Sequence, residues 1–195
     1  DNRLTANIVA YYIDWSDIQL SAFDAASLAT RIQNVGEAEV FGLETEIRYQ
    51  ATENLHLSMN YSYIDATLAS DYLDTQNVPP TVIAADGDTL PGSSKNSFSL
   101  LADWQIPVTS NLDFQVNANY IYVGSRPNQL GLARPSLSGD REIPSSEIVN
   151  LSAGVNHNNG VTVSLFANNL LDERSVQYES GIGAGSGGLE AIIMN

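Results

Sequence analysis

Phe41-Gly42-Leu43-Glu44-Thr45-Glu46-Ile47-Arg48-Tyr49-Gln50, the break Ala51-Thr52-Glu53-Asn54, then Leu55-His56-Leu57-Ser58-Met59-Asn60-Tyr61-Ser62-Tyr63: the reading of these residues decides the fold. Side chains of an extended strand point alternately to opposite faces. Phe41, Leu43, Thr45, Ile47 and Tyr49 therefore share one face, and Gly42, Glu44, Glu46, Arg48 and Gln50 share the other. After the break, Leu55, Leu57, Met59, Tyr61 and Tyr63 oppose His56, Ser58, Asn60 and Ser62. A helical period would scatter both sets around an axis. Strict alternation predicts two half-covered strands joined by a tight turn.

The same pattern recurs outward from this hairpin. Phe98, Leu100, Ala102, Trp104 and Ile106 oppose Ser97, Ser99, Asp103 and Gln105. Leu112, Phe114, Val116, Ala118, Tyr120 and Tyr122 oppose Asp113, Gln115, Asn117 and Asn119. Two further stretches, Val149 to Val155 and Val161 to Ala167, alternate in the same way, and Leu4 to Trp15 does so less cleanly. The expectation is an all-β antiparallel up-and-down meander of about seven strands. Short turns at 51–54, 107–111 and 157–160 alternate with long polar connections at 16–34, 69–95, 124–145 and from Arg174 onward. In a meander this puts every short turn at one end and every long loop at the other. Compact soluble domains rarely hold several loops longer than about 12–15 residues, whereas transmembrane β-barrels do so as a rule. A ten-residue strand tilted near 45° spans roughly 24 Å, about the height of a membrane's apolar band. Tyr49 and Trp104 lie toward the short turns; Tyr61, Tyr63, Tyr120 and Tyr122 lie toward the long loops, as two interfacial girdles would. On this reading Phe41, Leu43, Ile47, Leu57, Met59, Phe98, Leu100, Phe114, Val116, Leu151, Val163 and Leu165 line a convex, lipid-facing surface.

Composition narrows the function classes. The 195 residues carry 8 Lys and Arg against 23 Asp and Glu, a net charge of −15. Nucleic acid is a poor candidate partner, because phosphate neutralisation needs clustered Lys and Arg, and none is expected. With 43% hydrophobic and 16% charged residues the chain is not a disordered acidic tail. The absence of cysteine removes disulfide scaffolds, Cys-based zinc sites and thiol nucleophiles together. The longest apolar run, Ile8 to Ile13, is far short of a membrane helix.

Motifs with chemical meaning are few. Gly183-Ala184-Gly185-Ser186-Gly187-Gly188 fits G-x-G-x-x-G in letter, but only seven residues follow, too few for a dinucleotide-binding unit. Asp86-Gly87-Asp88, with Asp71 and Asp74 nearby, is either a calcium-binding loop or a solvated acidic one. His56 and His157 lie on different strands, and neither Ser93 nor Ser94 has a nucleophile-elbow context. The expectation is a protein without catalytic residues or cofactor.

Four stretches carry a resemblance. Asn34-Val35-Gly36-Glu37-Ala38-Glu39-Val40-Phe41-Gly42-Leu43-Glu44-Thr45-Glu46 resembles the N-x-G-x-x-x-x-x-G-x-E-x-E strand of TonB-dependent outer-membrane receptors. Leu57 to Ala66 is similar to the strand that follows it, with its Tyr-x-Asp-Ala ending. Leu90-Pro91-Gly92-Ser93-Ser94-Lys95-Asn96-Ser97 resembles the L-P-x-x-P-K-x-S segment, with Ser94 in place of Pro. Leu165 to Arg174 resembles the stretch containing N-N-L-F-D-x-x-Y, with Leu171 for Phe and no Tyr after it. All four fall in the family's order and spacing.

The resemblance implies a bacterial outer-membrane location and a 22-stranded barrel plugged by an N-terminal globular domain. Such receptors import scarce, large solutes of the siderophore, vitamin or oligosaccharide class with energy from the TonB complex. Residues 1–195 are then expected to form part of the barrel, with the plug and the final strand absent and the chain ending in or just after a loop. The resemblance also implies outer-membrane lipid, the plug and TonB as partners. Glu44, Glu46, Arg48, Asp103 and Asn117 would face the lumen and plug, and Asp71, Tyr72, Asp74, Asp86 and Asp88 would meet solute in an extracellular loop. Deleting Asp71 to Asp88 is expected to touch no strand. The alternatives are a porin-like channel or small passive barrel, and a secreted β-sandwich or adhesin domain.

Overall fold

The computed structural model describes residues 3–24, 29–74, 78–128, 130, 142–180 and 190–194. Among these there is no helix, and thirteen strands follow one another. They are β1 (Leu4–Asp24), β2 (Ala29–Gln50), β3 (Leu55–Leu68), β4 (Tyr72–Asp74), β5 (Thr81–Ala84), β6 (Asn96–Thr109) and β7 (Leu112–Val123), followed by β8 (Arg126–Pro127), β9 (Glu142–Ile143), β10 (Ser146–His157), β11 (Val161–Ala167), β12 (Ser175–Ser180) and β13 (Glu190–Met194). Seven form one sheet in the order β1-β2-β3-β6-β7-β10-β11, every pair antiparallel. The other six make three small hairpins, β4-β5, β8-β9 and β12-β13, set within the long connections.

Register carries the alternation of the sequence across the sheet. Tyr49, Leu57, Ala102, Ala118 and Leu151 stand opposite one another in a single row. The next row toward the long loops is Ile47, Met59, Leu100, Tyr120 and Val149; the one beyond it is Thr45, Tyr61, Phe98 and Tyr122. Residues opposite one another share a face, so one apolar face runs across the strands, interrupted in the loop-end row by Glu147 of β10 opposite Tyr122. All twelve residues expected on it are there, and none is buried: Phe41 is 46% exposed and Leu165 78%. No second sheet covers them among the described residues, which leaves the sandwich without its defining interface.

Both aromatic rows lie on this face. At the loop end the ring of Phe98 sits 5.4 Å from Tyr120 and 5.2 Å from Tyr122, and the Tyr61 hydroxyl donates to Asn96 Oδ1 at 2.7 Å. At the turn end Trp104 stands opposite Leu55, eight residues along β3 from Tyr63. That interval is about 27 Å along the strand and roughly 20 Å across a membrane at a tilt near 40°.

The long connections are more ordered than their sequences suggest. The segment expected as a loop at 16–34 is instead mostly strand, since β1 and β2 stay paired out to Asp24 and Ala29. A two-stranded arm satisfies its backbone through the partner strand, and needs no apolar alternation to do so. Pairing crosses a bulge between Trp15 and Ile18, where Asp17 adopts φ 56° and Gly36, which stands opposite Ile18, adopts φ 109°. Asn34 clamps this bulge: its Nδ2 donates to Asp17 Oδ1 at 2.9 Å, and its Oδ1 accepts from the Gly36 N–H at 3.0 Å.

The bulge shifts the facing of β1 by one residue and turns Ile18 onto the polar side. There Ile18 joins Ala38, Ala66, Leu68, Tyr72, Ala84 and Leu90 in a buried cluster. Register puts Ala38, Ala66 and Leu68 on the same side of the sheet as Glu44 and Ser62. The β4-β5 hairpin thus folds back over the polar face at the loop end. This corrects the expectation that 69–95 is a solvated loop and that removing Asp71 to Asp88 touches no strand, because that deletion takes out β4 and β5 entirely. The chain's end differs likewise: Glu190 to Met194 lie in a strand, paired with β12.

Candidate functional site

The polar face and the loops above it hold the side chains expected to face a lumen and a solute. Its rows follow from the same register as the apolar ones. Glu46, Asn60 and Ser99 stand in one row; Glu44, Ser62 and Ser97 stand in the next toward the loops. Arg48 falls one row toward the short turns, opposite Ser58. Asp103 and Asn117 stand together a row further down, in line with His56 and Ser152. All five residues expected to face a lumen therefore share one side, spread over four rows.

The side chains on this face are tied in short links. Asn7 Nδ2 donates to Glu46 Oε2 at 3.1 Å, and Arg48 Nη2 donates to Glu46 Oε1 at 2.5 Å. Asn60 Nδ2 reaches Ser99 Oγ at 3.2 Å, and Asn117 Nδ2 reaches Ser152 Oγ at 3.3 Å. Glu46 is held from two sides, whereas Asp103 Oδ1 is buried without a hydrogen-bond partner. Above Glu46 the face forms a concavity of about 500 Å³, lined by Asn7, Glu44, Glu46, Asn60, Ser62 and Ser99 among others. Asn7, Asn60 and Ser99 were not singled out in the sequence, though their parity with Glu46 along the strands is the signal that finds them.

The loop residues divide differently. Asp71 Oδ1 accepts from the Asp86 N–H at 2.9 Å, and Asp88 Oδ2 accepts from the Ala85 N–H at 2.9 Å. These carboxylates brace the turn that returns the hairpin to β3, where Leu68 N–H donates to Asp88 O and Gly87 N–H to Leu68 O. Among the described residues no three Asp, Glu or His are grouped so as to hold a metal ion. Tyr72, expected at a solute-contacting surface, is 7% exposed and packs in the core beneath the hairpin. Asp74 pairs through its backbone with Thr81 at the tip of β4. The glycine run at 183–188 lies outside the described residues.

Beyond β11 the Asn169-Leu170-Leu171-Asp172-Glu173 turn is self-contained. Asn169 Oδ1 accepts from the Glu173 N–H and its Nδ2 donates to Glu173 O, both at 2.9 Å. Asn150 Oδ1 accepts from the Asn169 N–H at 2.9 Å and moors the turn to β10. Asn169 and Asp172 both take positive φ, near 50°, a region in which Asn and Asp are favoured over bulkier residues. Taken together, the face and its loops offer hydrogen-bonding groups with negative charge in excess.

Comparison with known proteins bears on the family. The family described as TonB dependent receptor-like, beta-barrel, matches residues 1–170. No curated protein matches the chain. Among solved structures, the ferric yersiniabactin uptake receptor FyuA from Yersinia pestis is 16% identical with a TM-score of 0.71, over 100% of this chain and 26% of that one. The siderophore receptor PiuA from Acinetobacter baumannii is 20% identical with a TM-score of 0.67, over 98% and 24%. The ferric-catecholate import receptor Fiu from E. coli K12 is 17% identical with a TM-score of 0.66, over 94% and 23%. At such identities the likeness is one of fold. The chain spans about a quarter of the length of each of these structures.

Proposed function

Since the chain belongs to the TonB-dependent receptor-like β-barrel family, we propose that it forms part of the wall of an outer-membrane receptor importing a scarce, large solute. The observation that carries this is the broad apolar face between two aromatic rows. Leaving a large apolar side chain in water forfeits about 1.5–3 kcal/mol, and twelve such side chains need a hydrocarbon surround. The polar face then borders the lumen. Glu44, Glu46, Arg48, Asp103 and Asn117 are available there to a plug supplied by the rest of the receptor, and Asp71, Asp86 and Asp88 stand at the outer mouth. The solute is of the siderophore, vitamin or oligosaccharide class, siderophores being favoured by the neighbouring structures. TonB supplies the energy through the plug, and no bond-making step is required.

Uptake tests this directly. Cells lacking the full-length receptor should lose accumulation of one radiolabelled ferric siderophore, vitamin or oligosaccharide, and cells lacking TonB should lose it equally. Accumulation that survives loss of TonB, with steady ion conductance of the purified protein in planar bilayers, would assign the wall to a passive pore.

A further inference from the structure

We propose that the apolar face holds a seat for one phospholipid acyl chain, floored by Ala102 and Ala118. This rests on the membrane placement proposed above. The two alanines stand directly opposite each other on β6 and β7, while the rows on either side carry Leu100 with Tyr120 and Trp104 with Val116. Two methyl groups among large side chains leave a groove of about 490 Å³, whose walls include Tyr49, Leu57, Met59 and Tyr120.

Depth identifies the occupant. The floor lies one row from Trp104 at the short-turn end and two rows from the Tyr61, Phe98 and Tyr122 row at the other. It is therefore inside the hydrocarbon and nearer the periplasmic side, where the short turns of such barrels emerge. Water would find no set of polar partners on an apolar floor. Left empty, the walls would forfeit their dispersion contacts. A flexible chain of methylenes fills a groove of this shape and is touched on three sides, against one on a flat wall. The leaflet at that depth supplies it as a phospholipid tail, with Trp104, one row nearer the short turns, at headgroup level.

The full-length receptor, reconstituted in phosphatidylcholine vesicles containing a phospholipid with a mid-chain diazirine, provides the test. After illumination, peptide mapping should find adducts on residues 100–102 and 118–120 at roughly fivefold their density on residues 161–165 of the same face, about 1 kcal/mol of preference. Filling the floor with Ala102→Leu and Ala118→Leu should flatten that pattern, and Ala153→Leu, on the same face outside the groove, should leave it unchanged. Heat-modifiable migration on gels checks assembly of each variant; where the filled variant does not assemble, the wild-type map decides alone. Even labelling along the face overturns the seat, as does a polypeptide retained there in place of lipid. Absence of labelling anywhere on the face overturns the membrane placement and the seat with it.

Discussion

Gly42 lacks a side chain at the point where Tyr11 needs the space. The two residues stand opposite each other on β1 and β2, and a β-carbon on Gly42 would overlap the Tyr11 ring. An aromatic ring laid over a strand glycine covers backbone that would otherwise be bare. Gly42→Val in the full-length receptor should therefore expel the ring at a cost of about 1–3 kcal/mol. The temperature of heat-modifiable unfolding on gels reads this, and adding Tyr11→Ala should recover part of the loss; strictly additive losses would dismiss the contact. Lys95 sits just beyond the tyrosine row, its Nζ 2.8 Å from Asp65 Oδ1. The hydrogen bond to Asp65, reinforced by that carboxylate's charge, raises the Lys95 pKa. A raised lysine stabilises the fold fully below its ordinary pKa, about 10.4, and that contribution is lost as pH rises through the higher folded value. Both side chains are well exposed, so the pair is worth at most about 1 kcal/mol. Lys95→Met should lower the unfolding temperature slightly at about pH 8 and by less at about pH 12, because the contribution fades as pH rises through the raised value. An equal deficit at both values would mean that lost packing, and not charge, is responsible.

Among the elements, the β4-β5 hairpin depends most on a few contacts. It is held down by Tyr72, Ala84 and Leu90 against Ile18, Ala38, Ala66 and Leu68. Leu68 is 1% exposed, so Leu68→Ala should cost about 2–5 kcal/mol. That loss should be confined to the hairpin's docking, because the sheet below is paired independently. Limited proteolysis of the receptor in vesicles should then cut between β4 and β5 while gel migration stays that of an assembled barrel; loss of assembly would show that the cluster supports the wall as well. Deleting 71–88 is the blunter form of the same experiment and removes the core residues Tyr72 and Ala84 with the loop, so it cannot separate solute contact from folding. The limits of the sequence are physical here. Residues 41–63 announce their fold because one face must be apolar and the other polar along the whole strand. Strands of three and four residues, as in β4 and β5, are too short to show a period. The arms at 16–24 and 29–34 read as loop because a paired two-stranded arm satisfies its backbone without apolar alternation. Asn34 and Gly36 were legible as a signature, but their work at the bulge needed the opposite strand to be seen. On the polar face, parity along each strand was enough to place Glu44, Glu46, Arg48, Asp103 and Asn117 together. The unpartnered oxygen of Asp103 and the burial of Tyr72 depend on three-dimensional neighbours that no single strand reveals.

For the molecule as a whole, a wide apolar face is combined with two strands, β1 and β11, at the margins of the sheet. Residues 1–195 expressed alone should consequently aggregate in plain buffer and disperse only in detergent, since an apolar face and open edges both invite association. Sedimentation velocity checks this, and a monodisperse monomer without detergent would overturn the account of the apolar face. Nearest-neighbour order also makes such a wall divisible only by two. Each strand reverses the direction of the one before it, so losing β6 and β7 together would bring Leu57 of β3 beside Leu151 of β10 with both apolar sides still aligned and the two strands still opposed. Loss of one strand alone would leave its former neighbours running the same way and deliver the rest of the chain to the wrong rim. Duplication or loss of whole hairpins can thus change the breadth of such a sheet in even steps and without rewriting a single facing residue.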